Sequence, residues 1–410
     1  MKPADPIHAT VDHLFRHEAG KITAVLARFM GPAHWDDAED IVQDTLAKAL
    51  DVWKIKGLPQ NPTGWLMSVA RHRAIDVMRA AKTVRHLPGR MPAPEETKTD
   101  EPLLDGDIED SVLRLMFACC HPALPEESQL AFVLKTLGGL SVAEIAQAFR
   151  VGEDTVAKRI YRAKEKLREL PIDFEAPLTR DLGPRLDHVI KALYVLFNEG
   201  YYSAHPQYSI RTDLCWEAMR LATVLARHPE TAQPAVHALL AMMCLHASRF
   251  PARANDRDEW VLLEDQDRSQ WDKTLIQRGM EYLERSSQGE ALTEYHIEAA
   301  IASVHALSLD FVSTPWATLI RLYDLLHAVK PDPMVALNKA IAIGYGESAA
   351  AGVAALEAIG TLKDSPYYFT ALGMFYRAGG HEVKAQEAFA NAWTRARSDR
   401  EREVIGRRRG

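Results

Sequence analysis

The stretch LSVAEIAQAFRVGEDTVAKRIYRAKEKLR, Leu140–Arg168, decides the fold class. Ser141 followed by Glu144 reads as a capping box, in which side chains satisfy the orphan N–H groups of a first helical turn. Val142, Ile145, Ala146 and Phe149 recur at helical spacing and give that helix a buried face. Val151-Gly152 reads as a tight turn. A second helix then points Val156, Ile160, Ala163 and Leu167 inward, leaving Lys158, Arg159, Arg162 and Lys166 outside. Two such helices form a helix-turn-helix, whose first member braces while the second enters the DNA major groove with its N-terminal residues on base edges. The bland alternative is an amphipathic pair with a solvated basic face. Capping box, glycine turn and one-sided charge together argue against it.

Outward from this stretch, nearly every segment has helical periodicity. Leu14, Phe15, Ile22, Val25, Leu26 and Phe29 mark a helix from Val11 to Met30, broken by Gly31-Pro32. A second runs from about Asp37 to Trp53, with Ala38, Val42, Thr45 and Ala49 along one stripe. The breaker-rich GLPQNPTG, Gly57–Gly64, separates it from a third, from about Trp65 to Ala81. No strand-period stretch with hairpin turns occurs, so the expected class is all-α.

The chain has 410 residues, which implies two or three domains. Residues 86–110 are rich in proline and acid (Pro88, Pro92, Pro94, Glu95, Glu96, Asp100) and read as a flexible acidic linker. The expected organisation is a helical domain over 1–85, the linker, a second helical domain over 111–172, and an all-α block over 180–410. Pro171 and Pro177 mark the last boundary.

A net charge of −7 argues against a globally basic nucleic-acid binder, so any DNA contact must come from local basic patches. Four cysteines without CxxC pairs suit a reducing compartment. The N-terminus MKPADPIHAT lacks the apolar core of a signal peptide, and no apolar run spans a bilayer. We expect a cytoplasmic protein with no membrane partner.

The second informative pair of segments is DAEDIVQDTLAKAL, Asp37–Leu50, and NPTGWLMSVARHRAIDVMRA, Asn61–Ala80. The first is acidic on its exposed side through Asp37, Asp40 and Asp44. The second is basic through Arg71, Arg73 and Arg79, continued by Lys82 and Arg85. Charge alone leaves two readings open: separate partners for the two helices, or mutual neutralisation across a bundle.

Together these segments resemble region 2 of sigma-70 factors of the extracytoplasmic-function (ECF) group. Asp37–Thr45 matches the D-A-E-D-[IVL]-[VT]-Q-[DE]-[TA] helix of that group. Trp65–Arg79 matches W-L-x-x-[IV]-A-R-x-x-[AL]-[IL]-D-x-x-R. The helix-turn-helix is similar to region 4, including Arg-Ala-Lys-x-x-Leu-Arg ending at Arg168, and order and spacing fit with no region-3 domain between. The resemblance covers Val11 to Arg168. His72 stands where many relatives carry Asn, which leaves the contact at that position open.

The resemblance implies an alternative sigma factor that directs RNA polymerase core to promoters and catalyses no reaction. Asp37, Asp40, Gln43 and Asp44 would dock on the β′ clamp helices, and the β flap would be a further contact. Asn61, Trp65, Arg71, His72, Arg73, Asp76 and Arg79 would open the −10 element and hold a flipped base, as aromatic and cationic groups hold single strands. Asp154, Thr155, Lys158, Arg159, Arg162 and Lys166 would read the −35 element of promoter DNA as duplex. No cofactor or metal is implied.

A factor of this kind would be complete near Leu170. Near the chain's end, FTALGMFYRAGGHEVKAQEAFANAWTRA places Leu372, Gly373, Tyr376, Ala385, Phe389 and Ala392 at the packing positions of a tetratricopeptide repeat, within a TPR-like stretch near 333–400. A degenerate copy would carry Ala351, Ala355 and Ala358 in register. Leu193–Arg253 resembles the extension of an ECF subgroup with such a domain, where it is thought to take the regulatory role of a separate anti-sigma protein. The block is therefore expected to regulate the factor and to meet a protein or ligand whose identity the sequence leaves open.

Asn198, Glu199, Tyr201, Tyr202, Tyr295, His296, Glu298 and His305 invite a metal or enzyme reading. No H-E-x-x-H, phosphate loop or nucleophile elbow accompanies them, so residues satisfying helix junctions are the better reading. Cys119-Cys120-His121 likewise reads as a buried helix end stopped by Pro122.

Overall fold

The computed structural model describes residues 6–85, 105–170, 182–202, 210–255, 259–396 and 398–409. The proline-rich part of the acidic linker, the prolines at 171 and 177 and the proline at 206 lie outside them. Among the described residues all regular structure is helical, apart from an isolated bridge between Ala254 and Trp260. Among the described residues no helix is long and apolar enough to cross a membrane.

The chain divides into two compact units. The first, residues 1–200 with 213–231, contains α1 (Pro6–Met30), α2 (Trp35–Lys56), α3 (Pro62–Arg85), α4 (Asp105–Cys119), α5 (Glu126–Thr136), α6 (Val142–Phe149), α7 (Glu153–Glu169), most of α8 (Leu182–Tyr201) and α9 (Thr212–Arg227). The division thus falls inside the C-terminal block expected over 180–410, whose first two helices group with the preceding domains. Helix α4 opens at Asp105, so residues 105–110 of the expected linker are helical.

The stripe read from the sequence is the one that packs: Ala38, Val42, Thr45 and Ala49 of α2 are all buried. Trp53 joins Phe15 of α1 and Trp65 of α3, with ring centroids 5.7 and 5.5 Å apart, so an aromatic group closes this three-helix bundle. Helix α5 is buried on all sides from Ser128 to Leu134 and forms the centre of the next bundle. The two bundles touch: Trp35 at the start of α2 is 1% exposed and lies 5.1 Å from the Phe132 ring of α5. Gly20 on α1 permits a further close approach, because a Cβ there would meet the Leu137 carbonyl oxygen at 2.9 Å.

The second unit holds the remaining helices. They are α10 (Pro234–Ala247), α11 (Phe250–Arg253), α12 (Lys273–Ser286), α13 (Glu294–Leu307), α14 (Trp316–Val329), α15 (Pro333–Gly346), α16 (Ala349–Glu357), α17 (Pro366–Ala378), α18 (Glu382–Arg395) and α19 (Asp399–Arg409). Helix α10 is apolar nearly all round and sits against α12 and α13. From α14 to α18 each helix packs chiefly on its neighbours in the chain, the pattern of a stacked array. At the α17–α18 crossing a Cβ on Gly373 would stand 2.7 Å from the Phe389 ring, so only glycine allows this approach. Leu372, Ala385, Phe389 and Ala392 are buried as read. In the upstream copy Gly352 and Leu356 are buried, Ala351 and Ala355 are half-buried with Ala355 packed on the same core, and Ala358 is exposed, so the alanine register is followed only in part.

Candidate nucleic-acid and polymerase interface

Helices α6 and α7 form the helix-turn-helix. Ser141 Oγ accepts from the Glu144 N–H at 3.2 Å, and Glu144 Oε2 accepts from the Ser141 N–H at 2.7 Å, completing the capping box. The turn differs from the sequence reading. Its left-handed residue is Arg150 (φ 54°), while Gly152 is extended (φ −70°) and precedes α7. The Val151 N–H bonds the Ala146 carbonyl at 3.0 Å, closing the end of α6 by a left-handed cap that does not demand glycine.

On α7, Val156, Ile160, Ala163 and Leu167 are buried. Asp154, Thr155, Lys158, Arg162 and Lys166 are exposed on the opposite side, so five of the six residues expected at duplex DNA share an open face. Arg159 is half-buried and donates to Glu127 Oε2 of α5 at 2.7 Å. That pair fixes its guanidinium against its own bundle.

In the first bundle, Asp40, Gln43 and Asp44 lie exposed on α2, while Asp37 pairs with His34 at 2.7 Å. Of the residues expected at the melted strand, Asn61, His72, Arg73, Asp76 and Arg79 are exposed, and Trp65 and Arg71 half-buried. Asn61 also has a structural task, since its Oδ1 accepts from the Gly64 N–H at 2.8 Å and starts α3. Trp65 packs at a tilt against the ring of Trp53, which holds it partly in the core. His72 Nδ1 meets the Ser68 carbonyl at 2.7 Å. Arg73 reaches Asp44 at 3.4 Å, an exposed pair, so mutual neutralisation of the two helices is weak. The side chains of Lys82 and Arg85 lie outside the described residues.

Sequence reading missed a second acidic face on α2. Lys164 of α7 donates to Glu39 Oε2 at 2.7 Å and to Asp36 Oδ1 at 3.1 Å, and Arg168 also pairs with Asp36. Burial works against the Asp36 carboxylate, but Lys164 and Arg168 outweigh it and hold its pKa below the ordinary 3.8. Opposite charges at helical spacing were the available signal: Asp36 and Glu39 three residues apart, Lys164 and Arg168 four apart. Nothing in the sequence says that these two faces meet.

Helices α8 and α9 join the same assembly. Arg185 of α8 donates to the Phe117 carbonyl and lies over the Phe117 ring, and Lys191 pairs with Glu126. From α9, Arg227 bonds Glu109 at 2.7 Å, and buried Glu217 meets His17 of α1 at 2.7 Å. The extension therefore touches both bundles. Cys119 and Cys120 are buried, and burial pushes the Cys120 thiol up to about 12. His121 Nδ1 accepts from the Ala123 N–H at 3.1 Å, as a turn at a helix end requires.

Comparison with known proteins gives these bundles their counterparts. Residues 14–84 match Sigma-70 region 2, and residues 114–167 match Sigma-70, region 4. The chain belongs to the sigma-70 family. It is an alternative sigma factor of the ECF type: it binds RNA polymerase core and promoter DNA, directs transcription initiation, and is not an enzyme. Similar ECF factors include SigE of Mycolicibacterium smegmatis (strain ATCC 700084 / mc(2)155), 28% identical over 38% of this chain and 60% of its own. SigL of Mycobacterium tuberculosis is 29% identical over 38% of this chain and 85% of its own. An uncharacterized protein of Rhizobium meliloti (strain 1021) is 35% identical over 87% of this chain and 85% of its own, so it shares the extension of this sigma factor as well. Within that extension, residues 185–287 match a family of unknown function, DUF6596. No solved structure matches the chain.

Proposed function

We propose that the sigma factor has a closed state, in which its polymerase-facing helix and its −35 reader bind each other, and an open state that initiates transcription. The observation that carries this is the ion cluster of Asp36 and Glu39 with Lys164 and Arg168. A duplex element and a melted element lie apart on a promoter, so α7 must leave α2 for both to be read at once. In the open state Asp37, Asp40, Gln43 and Asp44 dock on the β′ clamp helices, and region 4 meets the β flap. Residues Asn61 to Arg79 hold the −10 strand, and Asp154 to Lys166 read the −35 duplex. The factor works in the cytoplasm beside its polymerase.

Opening is within reach of binding energy. Exposed ion pairs contribute about 0–1 kcal/mol each, and the buried Trp35 ring adds about 1.5–3 kcal/mol. Neutralising several phosphates at a promoter supplies more than this. Helices α8 and α9 act as the hinge-side brace, since they contact both bundles through His17–Glu217 and Lys191–Glu126. The stacked helices α14–α18 support a tetratricopeptide-like regulatory surface.

Run-off transcription with purified core enzyme tests the reading. Asp36→Lys should open the factor, and adding Lys164→Asp should restore the pair and the closed state, read as the spread of the molecule in small-angle scattering. If Asp36→Lys leaves both scattering and transcription unchanged, the closed state has no functional weight.

A further inference from the structure

In the second unit, three arginines converge with no carboxylate bonded to them among the described residues. Arg249 Nε donates to Gln266 Oε1 at 3.1 Å, and Arg253 donates to the Tyr201 carbonyl at 3.0 Å. Arg268 donates to the carbonyls of His305 and Ser308 at 2.6 and 2.7 Å. These partners are neutral, and among the described residues none of the three guanidiniums forms an ion pair, the charge of Asp310 acting on Arg268 only through space. Such a cluster is repulsive, and burial together with Arg249 lowers the pKa of Arg268.

The surroundings are shaped by aromatic rings. The Arg253 guanidinium lies 3.6 Å from the Tyr201 ring, and Arg249 and Arg268 lie 5.4 and 4.9 Å from the ring of Trp271. Tyr201 and Trp271 are buried, whereas neighbouring Tyr202 is 62% exposed, so the cluster has a floor of rings and a side open to solvent. Cation–π contacts hold guanidiniums in place while leaving their N–H groups free to donate.

Several polar atoms here lack a partner among the described residues. Arg268 Nη2 and the Nδ1 atoms of His246 and His305 are buried without a hydrogen-bond partner among the described residues. His246 is pushed down to about 3 and His305 to about 4, by burial first and then by the arginines, so both rings are neutral. Glu298 faces Lys330 at 3.3 Å, and Asp310, the carboxylate that acts on Arg268, is exposed on a loop. A buried Arg268 N–H without a partner and a cluster of cations both cost stability, and one bound anion would relieve both.

We infer that Arg249, Arg253 and Arg268 form a binding site for a small molecule carrying a phosphate or carboxylate group. The fork of each guanidinium matches two oxygens of such a group, and exposed Tyr202 offers a face for an apolar or aromatic body. The site lies wholly in the second unit and stands whether or not the closed state exists. It gives the extension something to sense.

The test is thermal unfolding and titration calorimetry of the full-length protein in low-chloride buffer. The probes are inorganic phosphate, phenyl phosphate and benzoate, which separate phosphate from carboxylate and bare anion from aromatic anion. Saturable binding by at least one probe at millimolar concentration is expected, with a raised Tm. Arg249→Gln should weaken that binding by about an order of magnitude, because one charge-assisted fork is lost. The same variant should melt higher than the parent without probe, since a repulsive charge is gone. Arg162→Ala in the DNA reader should bind the probes as the parent does. Arg249→Lys, which keeps the charge and loses the fork, serves the same comparison if the glutamine variant does not fold. Absence of saturable binding by all three probes overturns the proposal, and so does equal binding by parent and Arg249 variant.

Discussion

Glu217 and His17 stand 200 residues apart in the chain, and their side chains meet at 2.7 Å. Glu217 is buried, and its carboxylate also bonds Arg220 at 3.0 Å. Burial opposes its ionisation, but the bonds from His17 and Arg220 outweigh it and keep the pKa below the ordinary 4.5. The ionised carboxylate only accepts, so Nδ1 of His17 carries the proton. The first helix of region 2 and the second helix of the extension are thereby tied through one buried charge.

Glu217→Gln is expected to destabilise the first unit by about 3 kcal/mol, the scale for breaking a buried pair. The contribution of Glu217 has a definite pH sign. Its folded pKa is depressed, so the stabilisation is complete above 4.5 and is lost as pH falls through the lower folded value. Urea unfolding of parent and variant at neutral pH, and again in acid, should give curves that converge in acid. A gap that stays constant with pH would show that Glu217 acts by packing alone.

Core enzyme binding is expected to depend on the exposed acids of α2. Asp40→Lys with Asp44→Lys should abolish co-purification with polymerase while the far-ultraviolet CD stays helical, because neither side chain is buried. Retained binding would remove this face from the polymerase contact.

Promoter discrimination should be unequal along α7. Arg162→Ala is expected to cost about 1–3 kcal/mol at the upstream element, the range for one base-reading side chain. Arg159→Ala should cost less at DNA and more in folding, because Arg159 is held by Glu127. Binding to promoter variants, with thermal unfolding alongside, separates the two. Equal loss of upstream discrimination in both variants would contradict the pairing.

The second unit should lose stability in mild acid. His246 and His305 are neutral when folded and take up protons when unfolded, so their contribution is complete above 6.5. Below that value it declines as pH falls towards the folded values of about 3 and 4. Each histidine adds a slope of about 1.4 kcal/mol per pH unit in that window. His246→Phe should flatten the decline, measured by melting temperature against pH. An unchanged slope would place His246 outside the buried cluster.

Removing α19 should unfold the end of the array rather than shorten it harmlessly. Arg408 pairs with Glu264 and Asp265, and Arg407 donates to the Trp260 carbonyl at 3.0 Å, so the last helix closes back on a distant segment. A chain ending at Arg395 is expected to show faster proteolysis within 259–271. The parent pattern of digestion in that segment would mean that α19 carries no such load.

What was legible in the sequence was local. Helix periodicity gave the buried stripe Ala38, Val42, Thr45 and Ala49, and the capping box at Ser141–Glu144 formed as read. Those features depend on residues three or four positions apart, which any single helix brings together. The region 2 and region 4 motifs were legible for the same reason, since each is a short helical pattern. The turn at Arg150 was not, because several residue types tolerate a left-handed cap and the nearby glycine drew the reading to itself. The pairing of Lys164 with Glu39, of Glu217 with His17, and of three arginines with two neutral histidines was decided only by the tertiary structure. Charges at such separations attract any opposite partner equally well on paper. Which partner they meet is set by how apolar faces such as Trp35 on Phe132 bury one another, and that choice belongs to the packed molecule as a whole.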